Sequence, residues 1–211
     1  MSQNYDEAHI EWTRLAEEAI KKRNYEAAAR FLRHVTIYFG LVNDVSNQKK
    51  FATKTGECYL QVAKKLEGEN DPLKAILLYI KAVNSFQEGG SEESARICDS
   101  AIQKHYASIT KDGFTKINGD AHELKGVGDY FVKNGNFERA IECYRTAAEK
   151  AFKEDKLALS AGIYRDVGDR YQRLKDFESA AKIYALAADM YFKCQEHFEA
   201  AWHYCESGFL F

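Results

Sequence analysis

The stretch AHELKGVGDYFVKNGNFERAIECYRTAAEKAFKEDKLALS, residues 121–160, laid over AGIYRDVGDRYQRLKDFESAAKIYALAADMYFKCQEHFEA, residues 161–200, decides the fold. The overlay pairs Leu124 with Tyr164, Val127 with Val167, Gly128 with Gly168 and Asp129 with Asp169. It goes on to pair Phe131 with Tyr171, Phe137 with Phe177, Ala140 with Ala180, Tyr144 with Tyr184 and Ala147 with Ala187. Past residue 200, Tyr204, Gly208 and Phe211 fall on Tyr164, Gly168 and Tyr171, so the chain is expected to stop inside a third unit. Self-similarity at a period of about 20–50 residues marks a solenoid, in which each unit buries its apolar face by stacking on its neighbours. The spacing inside a unit has a mechanical reason. Alanine, aromatic and alanine at i, i+4 and i+7 share one helix face. Ala140, Tyr144, Ala147 and Ala180, Tyr184, Ala187 obey it, as do Ala75, Tyr79 and Ala82. The small residues let backbones approach while the aromatic fills the gap between hairpins. A mid-helix glycine costs about 1 kcal/mol against alanine, so Gly128 and Gly168 in register predict a close crossing.

Composition bounds the class. With 45% hydrophobic and 29% charged residues, the chain builds a core and is not disordered. A net charge of −2, with no basic run longer than Lys21-Lys22-Arg23, excludes global attraction to nucleic acid. No apolar run approaches the roughly 20 residues that span a bilayer, and Asp6, Glu7 and Glu11 do not fit a signal peptide. Five cysteines, without framework spacing, are expected as reduced thiols in a cytoplasmic protein, with Cys58, Cys98 and Cys143 as small core residues.

The expected architecture is all-α: a right-handed superhelical solenoid of antiparallel helical hairpins. About ten helices are expected, over 7–22, 25–43, 48–67, 72–88, 91–109, 115–134, 137–152, 157–174, 177–193 and 197–211. One domain is expected over 1–211, with looser repeats over 1–110, regular ones over 120–211 and a break in register between 90 and 120. Asp71 before Pro72, the only proline, predicts a helix start. Turns are expected at Arg23-Asn24, Gly68 to Asp71, Gly89-Gly90, Asn134-Gly135-Asn136 and Lys175-Asp176, with Asn136 and Asp176 capping the next helix.

These positions resemble the tetratricopeptide repeat, whose pattern runs large residue, leucine-glycine, tyrosine, aromatic, alanine, aromatic, alanine. Residues 121–151 and 161–191 match it. Trp12, Leu15, Ala16, Ala19, Tyr25, Ala28 and Leu32 match more loosely, as do Tyr59, Val62, Ala63, Leu66, Pro72, Ala75, Tyr79 and Ala82. Periods of 40 or more exceed the usual 34 of that repeat. With Ala140-Ile-Glu-Cys-Tyr-Arg-Thr-Ala-Ala and the equivalent run from Ser179, this is similar to the soluble NSF attachment proteins. That resemblance implies a twisted sheet of hairpins that holds a SNARE-type helical bundle and recruits a disassembling ATPase. The C-terminal helical region through which the family engages its ATPase is expected to be missing, which points to a relative or a fragment. A chaperone-type carboxylate clamp needs lysine and asparagine four apart, whereas Lys125 is followed by Asp129 and Arg165 by Asp169.

Lys125, Asp129 and Lys133 recur as Arg165, Asp169 and Arg173, a row of plus, minus and plus on nearly one face. The tetratricopeptide-like arrangement implies that these first-helix positions line the concave groove and meet an acidic or mixed-charge helix, helical bundle or peptide. A solvated face held by i,i+4 pairs explains the same row. Sulfur and imidazole at Cys194, His197, His203 and Cys205 form the one constellation with zinc's preferred ligands, although Cys205 equally suits a packing position. No phosphate-binding glycine loop, His-Glu-x-x-His pair or Gly-x-Ser-x-Gly turn is present. Peripheral membrane contact is open to the N-terminal helix and to the Gly208-Phe-Leu-Phe end, which otherwise packs on 177–193. The expectation is therefore a non-catalytic interaction adaptor without a cofactor. Its alternatives are a vesicle-trafficking factor like the attachment proteins and a zinc-supported or enzymatic helical domain.

Overall fold

The computed structural model describes residues 3–67, 71–112 and 119–210, which hold ten helices and no strand. They are α1 (Gln3–Lys21), α2 (Tyr25–Leu41), α3 (Val45–Glu67), α4 (Pro72–Gly89), α5 (Glu92–Asp112), α6 (Ala121–Lys133), α7 (Phe137–Lys153), α8 (Leu157–Arg173), α9 (Phe177–Lys193) and α10 (His197–Leu210). Seven of them stop for one local reason. Gly135 N–H donates to the Val132 carbonyl at 3.0 Å and Asn136 N–H to the Phe131 carbonyl at 2.9 Å, the paired closure of a Schellman turn. Arg23, Asn43, Gly90, Asp155, Lys175 and Gln195 close the same way, each with positive φ. In unit after unit a side-chain oxygen then starts the next helix: Asn24, Asp71, Asn136 and Asp176 each accept from a backbone N–H three residues on.

The repeat is therefore finer than 40. Gly135, Asp155, Lys175 and Gln195 stand 20 apart, and α7, α8 and α9 each have 17 residues followed by a three-residue turn. Four expected boundaries move by three residues or more, among them the start of α1, at Gln3 rather than at 7, and the end of α5, at Asp112 rather than at 109. Asp44 accepts from Asn47 N–H at 3.0 Å, so α3 begins at Val45 rather than at 48. Asp120 and Glu123 form a reciprocal capping box, so α6 starts at Ala121 rather than at 115. Residues 115–118 and the turn at 68–70 lie outside the described residues.

The contacts gather into two compact units, Met1–Lys111 and Asp112–Phe211, with the division inside the 90–120 stretch expected to break register. In the first, Ala16, Ala28, Ala29, Leu32, Val35 and Phe51 form a cluster covered by Trp12, Phe39 and Tyr59. Here Gly56 takes the Phe86 ring, since a Cβ added to it would stand 2.8 Å from that ring. Glu67, at the end of α3, accepts from the Tyr79 hydroxyl of α4 and pairs with His105 Nε2 of α5 at 3.0 Å. In the second unit α7 packs between α6 and α8, and α9 between α8 and α10. Ala140, Ala147, Ala180 and Ala187 are fully buried, as the close-crossing reading requires. A Cβ on Gly128 would meet the Tyr144 ring at 2.4 Å, and one on Gly168 the Tyr184 ring at 2.6 Å. Gly208, the third glycine in that register, departs from it: a Cβ there meets no atom within 4 Å.

Candidate protein-binding face

The helices of the second unit are held in phase by a recurrent latch. Tyr144 Oη donates to Asp129 Oδ1 at 2.5 Å and Tyr184 Oη to Asp169 Oδ1 at 2.7 Å, each across 15 residues. Tyr204 repeats it on Asp189, again across 15 residues, one helix out of the 40-residue phase. Tyr164 has Glu149 as its counterpart neighbour, and burial followed by that carboxylate holds its hydroxyl above the ordinary tyrosine range. Burial, reinforced by the carboxylate each donates to, pushes the Tyr144 and Tyr184 hydroxyls far up as well, so they stay protonated donors.

The expected charged rows are thus partly internal hardware. Asp129 receives Tyr144 and also Lys125 Nζ at 2.9 Å, the i,i+4 pair the sequence suggests. Such an exposed pair contributes a few tenths of a kcal/mol. Lys125 additionally lies 5.4 Å from the Tyr144 ring centre and reaches Asp166 of α8 at 3.4 Å, joining two successive first helices. On α8 the pattern changes. Arg165 Nη2 donates to its neighbour Asp166 at 3.0 Å instead of pairing with Asp169, and that bond raises its pKa. Asp169 is met by Tyr184 and by Arg170 at 3.8 Å. Lys133 and Arg173 are exposed in the last turns of α6 and α8. Contacts thus join Lys125 and Asp129 on α6 to Arg165 on α8 through Asp166, a hub that the row reading did not include, while Lys133 and Arg173 lie beyond these contacts.

The same face continues onto α10 in a different chemistry. Arg165 lines a concavity of about 320 Å³ with Phe198, Glu199, Trp202 and His203. Phe198 is 76% and Trp202 58% exposed, and Phe209 beyond them 89%. None of these aromatics figures in the sequence reading of the groove. Their signal was available as the i, i+4, i+11 spacing of Phe198, Trp202 and Phe209 on one side of a helix.

The candidate zinc ligands are not brought together. His203 is buried, stacked on Tyr184 at 5.8 Å and on Tyr191 at 5.5 Å, with Nδ1 2.7 Å from Glu206. His197 is exposed against the edge of Phe192, Cys194 is half-buried at the end of α9, and Cys205 is exposed rather than packed. Among the described residues no group of three or more His, Cys, Asp or Glu side chains is arranged to hold a metal ion. Cys58, Cys98 and Cys143 are buried as expected, and burial pushes the Cys58 and Cys98 thiols up to about 11. The α10 helix packs on α9 through Ala200, His203 and Ser207. Phe211 lies outside the described residues. None of the described helices is long and apolar enough to cross a membrane.

A latched array of antiparallel helices with a polar-to-aromatic face defines a helical-repeat interaction adaptor. The profile of the soluble NSF attachment proteins (SNAP) matches residues 21–184, and the chain belongs to that family. It is a non-catalytic adaptor family whose members act through protein partners. Among solved structures, BtubC (BKLC) from P. vanneervenii is similar at a TM-score of 0.54 and 15% identity, over 98% of this chain and 90% of that one. At that identity the likeness is one of fold. Comparison with the curated proteins gives no match.

Proposed function

We propose that the chain is a cytoplasmic attachment factor that receives a SNARE-type helical bundle on the face of α6, α8 and α10 and serves vesicle trafficking by presenting that bundle to an ATPase. Family membership over residues 21–184 supports the class of partner. The observation that carries the placement is Lys125, which bridges to Asp166 and so joins α6 and α8 into one charged surface beside Arg165. The acids of this surface hold Lys125 and Arg165 in place, while Lys133 and Arg173 stand exposed at the ends of α6 and α8, so a charged partner meets a fixed array of both signs. Charge of this kind steers encounter and fixes register more than it adds affinity, which makes the contact salt-dependent. The test reverses Lys125, Lys133, Arg165 and Arg173 to Glu and measures capture of an isolated four-helix SNARE-type bundle at low and moderate salt. Capture should fall with helicity unchanged by circular dichroism. Equal capture by the quadruple variant would remove this face from the function.

A further inference from the structure

The bare side of α10 is two faces, and the repeat register tells them apart. Ala201 and Gly208 hold the places of Ala161 and Gly168 on α8, both buried there, the glycine beneath Tyr184 of α9. Phe198, Trp202 and Phe209 hold the places of Ala158, which is exposed, and of Gly162 and Asp169, which are half-buried and meet α9 at the hydroxyls of Tyr191 and Tyr184. The aromatic face thus continues the charged rows and borders the seam marked by Ala201 and Gly208, with Phe198 the farthest from it.

We propose that Phe198 and Trp202, together with Arg165, form an anchor site for a partner helix that presents one large apolar side chain flanked by a carboxylate. This rests on the reading that the α6, α8 and α10 face receives a protein helix, and it names the chemistry that part of the face selects. The concavity of about 320 Å³ between them admits a side chain, and its His203 floor is held by two stacked tyrosines and Glu206. Two large aromatics more than half exposed side by side are costly to leave in water, and tryptophan and arginine are the residues that most often dominate helix-docking energies. Among the described residues Arg165 donates one hydrogen bond, to Asp166, which leaves further N–H groups of its fork for an incoming carboxylate. A lipid surface fits less well, because α10 carries two glutamates and no lysine or arginine. A second copy fits less well too, because one face of a 14-residue helix falls short of the roughly 800 Å² per partner that a stable interface buries.

The chain has two tryptophans, so Trp12→Phe leaves Trp202 as the sole reporter in the full-length protein. The probe is a synthetic Ala/Glu/Lys helix carrying one Phe anchor with a Glu four residues away. Its controls replace the anchor by Ser or the Glu by Gln. The anchored peptide should shift Trp202 emission to the blue in a saturable titration. The Ser control, or Phe198→Ala in the protein, should weaken binding by about tenfold or more, and Arg165→Gln or the Gln control severalfold. Three results overturn the proposal: no saturable shift up to millimolar peptide, an equal shift with the Ser control, or a shift produced instead by phosphatidylcholine/phosphatidylserine vesicles or by raising protein concentration alone. Capture of the four-helix bundle keeps the test decisive if Trp12→Phe does not fold. If Phe198→Ala with Trp202→Ala captures the bundle as wild type does while the quadruple charge reversal does not, the anchor fails and the charged face stands. If neither variant loses capture, both fail.

Discussion

Replacing Gly128 by Ala should destabilise the protein even though it improves helix propensity. In the middle of α6 the added methyl gains about 1 kcal/mol of backbone propensity. Against that, its Cβ would stand 2.4 and 2.5 Å from two ring carbons of Tyr144, where ordinary carbon contacts begin near 3.5 Å. The ring has to move by about 1 Å, yet it is 3% exposed, lies between Ala140 and Ala147 on its own helix and is tied at its hydroxyl to Asp129. Overpacking of this kind costs about 1–3 kcal/mol, and loosening a hydrogen bond to a carboxylate adds about 1 kcal/mol or more. The net loss is about 2 kcal/mol, or roughly 4–8 °C in Tm for a chain of this size. Gly208→Ala is the internal control. It occupies the same register but faces open space, so it should leave Tm unchanged or raise it by the propensity gain, which is up to about 1 kcal/mol. Thermal unfolding followed by circular dichroism reads both. A Gly128→Ala protein as stable as wild type, or a Gly208→Ala protein that falls as far, would refute the close-crossing argument.

Tyr144→Phe and Tyr184→Phe each remove a latch hydroxyl with little change in volume, and should cost about 1 kcal/mol apiece in urea unfolding; no change in either would show that the latch adds nothing to stability. Ala140→Leu or Ala180→Leu should cost about 1–3 kcal/mol by forcing apart a crossing with no free space, and unchanged unfolding in both would remove the register. Alkylation of the native protein at pH 8 should label exposed Cys205 first, because Cys58 and Cys98, pushed up to about 11, hold about a thousandth of their thiol as thiolate and are buried as well; early modification of Cys58 or Cys98 in peptide mapping would contradict their burial. The single domain expected over 1–211 should unfold in one cooperative calorimetric transition, whereas two resolved transitions would make the two compact units separate domains.

The all-α class and most helix boundaries were legible because the cues are local: Asp71-Pro72, the Asn136 and Asp176 caps, and small residues at i and i+7 about an aromatic. The expected helix starts at 137, 157, 177 and 197 already stand 20 apart, and Arg23, Gly90, Gly135 and Lys175 fall in turns the sequence marks, whereas Asn43, Asp155 and Gln195 turn left-handed without a glycine or another local cue. The site was only half legible. A helical wheel puts Lys125, Asp129 and Lys133 on one face, but it does not show that Asp129 and Asp169 are claimed by tyrosines 15 residues away or that Asp166 joins two hairpins. Those are contacts between helices, set by the angle and phase at which hairpins stack. The aromatic end of the face was missed for a similar reason, since whether Phe198 and Trp202 are core or surface depends on which side of α10 meets α9.

Hydrogen exchange of the full-length protein, measured with and without a saturating four-helix SNARE-type bundle, tests the central claim most directly. Added protection should fall on the exposed sides of α6, α8 and α10, strongest in peptides containing Lys125, Arg165 and Trp202, with α7 and α9 unchanged. Protection confined to α7 and α9, or none in the second unit at a bundle concentration that binds the protein, would contradict it.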